Sequence, residues 1–494
     1  MEILKVIFLL PLVLLIFNLI IVVHELGHFL AARWRGLYVD RFAVWFGKPL
    51  WKKKVNGVTY ILGRFPAGGY VSVPQLAPME MLEGRVDIDP EILRNMPAAK
   101  PLDKIIVAVA GPLFSLGLAF LFACIVWAVG TPTHKANTDR IIGYVEPGKP
   151  ADKAGILPGD IVEVVDGHKI KTLFSGDHDS LFWNIIDSKD KSVDITVSRQ
   201  GVLKKVTVTP ETEKTAFYQR NKYKEIGVEP AEEPFVGTVM EDSPAALAGM
   251  KPGDKFVTVD GKLLYHPSFL TEYIKANKGK ELTIEALRPD KPGEKNSPTT
   301  PITFKVTPVV PEVSPKDTQP MLGISWGQPA LDGYDHVAPW TQVVNSAKMV
   351  YNTIKALSNK NSGVTVKQLS GPVGIVDNYY KMLLLEQGWR WVLYFSVVLN
   401  VNLAIMNMLP FPVLDGGHIT MSLLEMIRRK PINVRVLEVL QTGFAVVLFS
   451  FIIFVSFFDV QDVVPAGAGG ESEEIRFAAP KKAAAPANAV PATP

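Results

Sequence analysis

The sequence predicts a polytopic α-helical membrane protein with four transmembrane helices, a membrane-associated β-hairpin, and two α+β domains inserted between spans two and three. Three observations predict it: four long apolar runs, a duplicated pattern in the large segment between runs two and three, and ionisable residues lodged in or beside those runs. The 494 residues are 48% hydrophobic and 20% charged, with a mean hydropathy of +0.17. That balance excludes a disordered or fibrous chain. With 52 basic against 49 acidic residues and no basic-aromatic module, nucleic acid is not an expected partner. The one cysteine, Cys124, lies in an apolar run and reads as a small buried hydrophobe, so no intramolecular disulfide forms.

A helix needs roughly 20 apolar residues to cross a hydrocarbon core. Residues 3–23 qualify with Lys5 as their only charge, and 105–129, 391–414 and 439–458 qualify with none. The first run is longer than a signal-peptide core and continues into HELGHFLAARWRG without a convincing cleavage site, so it is expected to stay as a permanent span. Lys and Arg flanking the spans set the orientation. Arg33, Arg35, Arg41, Lys48, Lys52, Lys53, Lys54, Lys100 and Lys104 mark the first loop as cytosolic, and Arg428, Arg429, Lys430 and Arg435 mark the last. The segment 130–390 and both termini are then expected on the far side.

Within that segment Gly143, Val145, Pro150 and Ala151 recur 94 positions later as Gly237, Val239, Pro244 and Ala245. Ala154-Gly155, Pro158-Gly159-Asp160 and Asp166-Gly167 recur at the same offset. One domain has been duplicated. The AG-x-x-PGD pattern, followed by apolar residues and V-DG, resembles the PDZ domain, in copies expected at 138–210 and 226–309. A PDZ sheet edge accepts an extended peptide as an added strand. The pair therefore either binds an extended peptide, or screens access to the membrane part or packs on it. Residues 211–225 are expected as the linker between the copies. Apolar residues at helical spacing predict an amphipathic helix over 338–360, lying on the membrane or on the PDZ pair. The Pro/Ala-rich tail, 459–494, is expected to be disordered.

The chemistry gathers where polar groups meet apolar runs. His24-Glu25-Leu26-Gly27-His28 ends the first run, so two imidazoles share one helix face and can hold one Zn²⁺, with Glu25 beside them as general base. A catalytic zinc takes a third protein ligand. Asp415, the first charge after the third run, is the candidate and His418 the alternative. Pro410 and Pro412 are expected to break the helix and turn the chain before it. Spans one and three both run from outside to inside, which brings the two motifs to one depth near the cytosolic side. Of the asparagines in the third run, Asn400 and Asn402 are read as packing residues and Asn407 as a substrate contact. Residues 57–73, with Gly68-Gly69-Tyr70, are read as a β-hairpin dipping toward the site, whose edge can hold an unwound substrate strand. Gly111 and Ser115 in span two are read as close-packing residues.

HELGH in span one, Gly111-Pro112-x-x-Ser115 in span two, Ser370-Gly371-Pro372-Val373-Gly374, and Asn407-x-x-Pro410-x-Pro412-x-Leu414-Asp415-Gly416 together resemble the site-2 protease family of intramembrane zinc proteases. The resemblance covers residues 1–458, with an N-terminal membrane half at 1–130 and a C-terminal one at 370–458. It implies one zinc per chain held by His24, His28 and Asp415, with Glu25 as base. It also implies Asn407, Pro410, Pro412, Gly68, Gly69 and Tyr70 on the substrate side. Implied substrates are single-span proteins of the bacterial inner membrane, such as an anti-sigma factor already trimmed on its outer side, and signal-peptide remnants. Ser115 stands where many relatives carry Asn, and the tail has no counterpart in the pattern. The competing reading is a non-catalytic membrane scaffold whose PDZ pair binds envelope protein C-termini. Glu25 beside an open metal position argues against it.

Overall fold

The computed structural model describes residues 2–76, 96–97, 99–133, 139–174, 179–213, 215–291, 297–312, 319–327, 333–430, 432–463, 475 and 477. The chain forms two compact units, one of Met1–Pro132, Lys214–Lys222 and Tyr334–Pro465, the other of Thr133–Glu213, Tyr223–Gly333 and Ala466–Pro494.

The first unit contains helices α1 (Glu2–Trp34), α2 (Pro101–Val129), α3 (Pro339–Ser358), α4 (Pro372–Leu384), α5 (Gly388–Asn407), α6 (Asp415–Arg428) and α7 (Val434–Val463). Four of them, α1, α2, α5 and α7, are long and apolar enough to cross a membrane. Helices α2, α3 and α4 each begin with proline, whose missing N–H costs nothing in a first turn where no carbonyl waits for it. The expected ends of two spans are corrected. Helix α1 runs past residue 23 and carries the whole HELGH motif before it stops at Gly36, which adopts φ +72°. Helix α5 ends at Asn407 rather than 414, because Pro410 and Pro412 cannot donate to a continuing helix. The chain turns through 408–414 and restarts as α6 at Asp415.

Helix α3 buries polar residues: Gln342 Nε2 donates to the Ala123 carbonyl of α2 at 3.1 Å, and Ser346 Oγ donates to the Gln342 carbonyl. Its contacts are with α2 and α5. Helix α4 packs on α1 and α5 through Tyr379, which is fully buried beside Val13 and Val392 and shares a hydrogen bond with Ser396. Helix α7 continues through Val463, so 459–463 are helical and not part of a loose tail. Asp459, 2% exposed, is held there. Most of the remaining tail lies outside the described residues, but Phe477 is buried and lies against Gly323 in the second unit.

The expected hairpin over 57–73 is instead half of a four-stranded sheet. Strands β1 (Arg41–Phe46), β2 (Trp51–Val55), β3 (Val58–Leu62) and β4 (Phe65–Ser72) are ordered β2-β3-β1-β4. Strand β1 lies between the two strands expected to pair, parallel to β3 and antiparallel to β4. Gly68-Gly69 is therefore not a turn. Both glycines sit inside β4, where Gly68 takes φ +112° and a Cβ would strike Phe46 at 2.4 Å. Strand β4 ends the sheet, and among the described residues no strand pairs with its outer edge.

In the second unit the duplication is visible in the cores. Ile142, Ala151, Ile156, Val162 and Val165 of the first copy are buried, and so are Val236, Ala245, Met250, Phe256 and Val259, their counterparts in the second. The aspartate of each PGD turn is buried and paired. Arg199 donates two bonds of 2.7 Å to Asp160, and Arg288 does the same to Asp254. Each copy is closed by a late strand: Val228–Pro230 pairs with Ile142–Val145, and Ile324–Trp326 with Val236–Val239. The 211–225 stretch, expected as a linker between copies, thus interrupts the first copy's chain: its ends bridge at Glu211 and Glu225, and Lys214–Lys222 belongs to the first unit.

Candidate active site

His24 and His28 lie one turn apart on α1, and the chain turn after α5 delivers Asp415 to the same place at the start of α6. The two Nε2 atoms are 3.2 Å apart. Asp415 Oδ2 is 3.3 Å from His24 Nε2, and Oδ1 is 3.4 Å from His28 Nε2. All three residues are buried, and their ligand atoms lie within 4.8 Å of one another. His418, one turn further along α6, is not part of this cluster among the described residues.

The outer nitrogens fix the tautomers. His28 Nδ1 is 2.8 Å from the Val107 carbonyl, which only accepts, so this nitrogen carries the proton and Nε2 presents a lone pair. His24 Nδ1 is 3.0 Å from Ser115 Oγ, which can donate or accept, but the Asn407 Nδ2 group, a donor only, lies 3.2 Å from His24 Nε2, so Nε2 presents the lone pair and Nδ1 carries the proton. Two imidazole lone pairs and a carboxylate thus face one buried point, and Asp415 Oδ2 is buried without a hydrogen-bond partner. Such a convergence repels itself unless a cation sits at its centre. Two histidines and one carboxylate with a free fourth position is the donor set of a catalytic zinc, and carbonyl and hydroxyl partners on the far nitrogens are what orient such ligands.

Room for the cluster comes from glycine. A Cβ at Gly111 would lie 2.2 Å from His28 Nε2 and 2.9 Å from His24 Cε1, so α2 passes directly over the imidazoles. Gly416 and Gly417 let α6 start against the carbonyls of Met408 and Phe411, where a Cβ would lie 2.2 and 2.0 Å away.

Glu25 follows His24 on α1, and β4 passes close to it, since a Cβ at Gly69 would meet Glu25 Cγ at 3.6 Å. Gly68 and Tyr70 flank that position, with Tyr70 stacked on Phe46 at 6.0 Å. Asn407, the last residue of α5, has Nδ2 3.2 Å from His24 Nε2, which places it at the rim of the cluster. Pro410 and Pro412 form the turn between α5 and α6, and the Pro412 carbonyl faces Gln441 of α7. Asn400 is fully buried and donates to the Ser396 carbonyl of its own helix. Asn402 is exposed.

Two site features were missed by the sequence reading. Ser115, read as a packing residue, bonds a histidine of the cluster. Asn18, two turns before Glu25, bonds inner strand β1 and edge strand β4: its Oδ1 accepts from Trp45 Nε1 at 2.7 Å, and its Nδ2 lies 3.3 Å from the Pro66 carbonyl. A search for ionisable groups passes over a neutral amide in an apolar run, although its buried polar atoms need partners just as much.

A family model described as "Peptidase family M50" matches residues 12–451. The chain is similar to the "Regulator of sigma-E protease RseP" of Escherichia coli (strain K12), 28% identical over 440 residues that cover 85% of this chain and 91% of that one. It is similar to "Protease RseP" of Yersinia pestis at 28% over 437 residues, covering 85% and 91%. A Neisseria meningitidis protein whose name contains the words zinc metalloprotease is 28% identical over 453 residues, covering 88% and 95%.

Proposed function

The chain belongs to peptidase family M50, and from that premise we propose that it is a zinc endopeptidase that cuts single-span membrane proteins within the bilayer. The observation that carries this reading is the convergence of His24, His28 and Asp415, brought by two helices at the ends of apolar spans, with Glu25 adjoining them. Zinc held by those three side chains supplies a Lewis acid that polarises a peptide carbonyl and acidifies water.

Glu25 takes a proton from the attacking water and returns it to the leaving amide nitrogen. The Ser115 hydroxyl and the Val107 carbonyl hold the two imidazoles in the tautomer that turns Nε2 inward. A helical substrate hides its carbonyls in bonds from i to i−4, so it must unwind before attack. The free edge of β4, passing Glu25 at Gly69, offers the unwound segment a strand to pair with, flanked by Gly68 and Tyr70. The Asn407 amide lies close enough to the cluster to bond a substrate carbonyl there, and Pro410 and Pro412 hold the turn that keeps it in place.

The substrates are single-span proteins of the bacterial inner membrane, above all an anti-sigma factor pre-trimmed on its outer side, together with signal-peptide remnants. The sigma-E regulator names of the relatives support that class. The two repeat copies are PDZ domains on the periplasmic side that exclude substrates with a bulky outer part. The basic loops between spans one and two and between three and four support a cut toward the cytosol.

The test is zinc content per chain of detergent-purified protein beside His24→Ala and Asp415→Ala, followed by cleavage of a single-span substrate in proteoliposomes with Glu25→Gln as control. About one zinc in the wild type, lost in both ligand variants, with cleavage abolished in Glu25→Gln, is the expected result. A well-folded wild type without zinc or cleavage overturns the reading and favours a peptide-binding scaffold.

A further inference from the structure

Asn18 is 5% exposed inside an apolar span, and both ends of its amide are bonded. Nδ2 donates to the Leu14 carbonyl of α1 at 2.7 Å and faces the Pro66 carbonyl of β4 at 3.3 Å, while Oδ1 accepts from Trp45 Nε1 of β1 at 2.7 Å. Trp45 occupies the left-handed region at φ +69°, at a register shift between Val44 and Phe46 in the β1–β4 pairing. A bulky residue held there is strained, and such strain persists only where the surroundings impose it.

Strand β4 meets α1 at two points, Pro66 at Asn18 and Gly69 at Glu25, seven residues apart along the helix. Between those points the β1–β4 register shifts, since Val44 pairs with Gly69 and Phe46 with Phe65. A strand can slip along a smooth apolar helix face at little cost, because apolar contact has no direction. A buried amide bonded at a fixed point removes that freedom.

We propose that Asn18 is a positioning residue that sets the register of β4 on span one, and through it which peptide bond of a substrate strand faces Glu25. The proposal rests on the reading that substrate pairs with the outer edge of β4. Asn18 touches no reacting atom; it acts through Trp45 and Pro66.

The experiment uses the full chain in proteoliposomes with a single-span substrate, products being mapped by mass spectrometry. Asn18→Leu keeps the volume and removes both cross-bonds, whereas Trp45→Phe keeps an aromatic ring and removes only the donor to Oδ1. Both are expected to spread the cut over neighbouring bonds and to raise apparent KM roughly fivefold, with zinc content unchanged. If Asn18→Leu fails to fold, Trp45→Phe decides alone. A single wild-type cut and wild-type KM in the folded variants overturns the role of Asn18. The underlying reading is tested separately by a disulfide between Tyr70→Cys, in a chain with Cys124→Ala, and a cysteine near the substrate's scissile bond. If that cross-link does not form with substrate that is nevertheless cut, the β4 edge is not the substrate site and the proposal falls with it.

Discussion

Arg220 Nη2 lies 2.8 Å from Asp459 Oδ1, joining a segment that interrupts the first repeat copy to the last turns of span four. The same carboxylate accepts the backbone N–H groups of Gly371 at 2.9 Å and Gly374 at 3.0 Å, at the start of α4. Glycine is required at both positions, since a Cβ would lie 2.9 and 2.7 Å from the Asp459 oxygens. The Ser370 to Gly374 motif is thus a cradle for a buried anion, and Arg220 also donates to the Leu369 carbonyl.

Removing Arg220 leaves that carboxylate buried with only two N–H groups to balance it. Arg220→Ala is expected to destabilise the first unit by about 3 kcal/mol. Thermal unfolding in detergent measures the loss, and adding Asp459→Asn to Arg220→Ala should recover most of it. A wild-type melting temperature for Arg220→Ala would show that solvent, not Arg220, balances Asp459.

Ser115 bears on the metal rather than on helix packing alone. Its hydroxyl holds His24 by Nδ1, and partners of this kind typically change metal affinity 10- to 100-fold when removed. Ser115→Ala is expected to weaken zinc binding by about tenfold in competition with a chelator, while the helices stay packed because the residue shrinks. Unchanged zinc affinity would return Ser115 to a packing role.

In the repeat copies the buried aspartates Asp160 and Asp254, paired with Arg199 and Arg288, tie each PGD turn to the strand that carries the arginine. Arg199→Ala should open only the first copy to limited proteolysis, and Arg288→Ala only the second, each costing about 3 kcal/mol as an unpaired buried carboxylate. Cleavage sites mapped on the intact chain separate the two. If either variant opened both copies, the duplicated cores would be one cooperative unit.

How far the sequence could be read follows from how local each signal is. HELGH declares its geometry in five residues, because a helix turn fixes what faces what. The repeat was legible because two copies of one turn pattern recur at constant spacing. The sheet order was not, since the insertion of β1 between β3 and β4 depends on partners that no local pattern names, and Gly68-Gly69 suits a turn as well as the crowded strand it occupies. From the sequence Asp459 reads as the first residue of the Pro/Ala-rich tail. Its meaning lies in Arg220, 239 residues away.

The close fit of α2 over the imidazoles yields the sharpest prediction. Gly111 lies on α2 where the helix crosses the imidazoles, and an added methyl would sit 2.2 Å from His28 Nε2 and 2.4 Å from His28 Cε1, inside the space the ligand nitrogens share. Since Ala is a better helix former than Gly, the substitution favours α2 itself, and any loss must come from the site. Gly111→Ala is expected to fold, to pack its spans, and to bind far less than one zinc per chain. Gly117→Ala, six residues on in the same helix, meets nothing within 4 Å and is expected to keep wild-type zinc and activity. Atomic absorption on the two purified variants distinguishes crowding at the imidazoles from a general effect of alanine in span two. Full zinc in Gly111→Ala would require α1 and α2 to separate by an ångström or more without loss of the His28 to Val107 bond. That outcome would mean the cluster tolerates looser packing than the 2.8 Å contact implies.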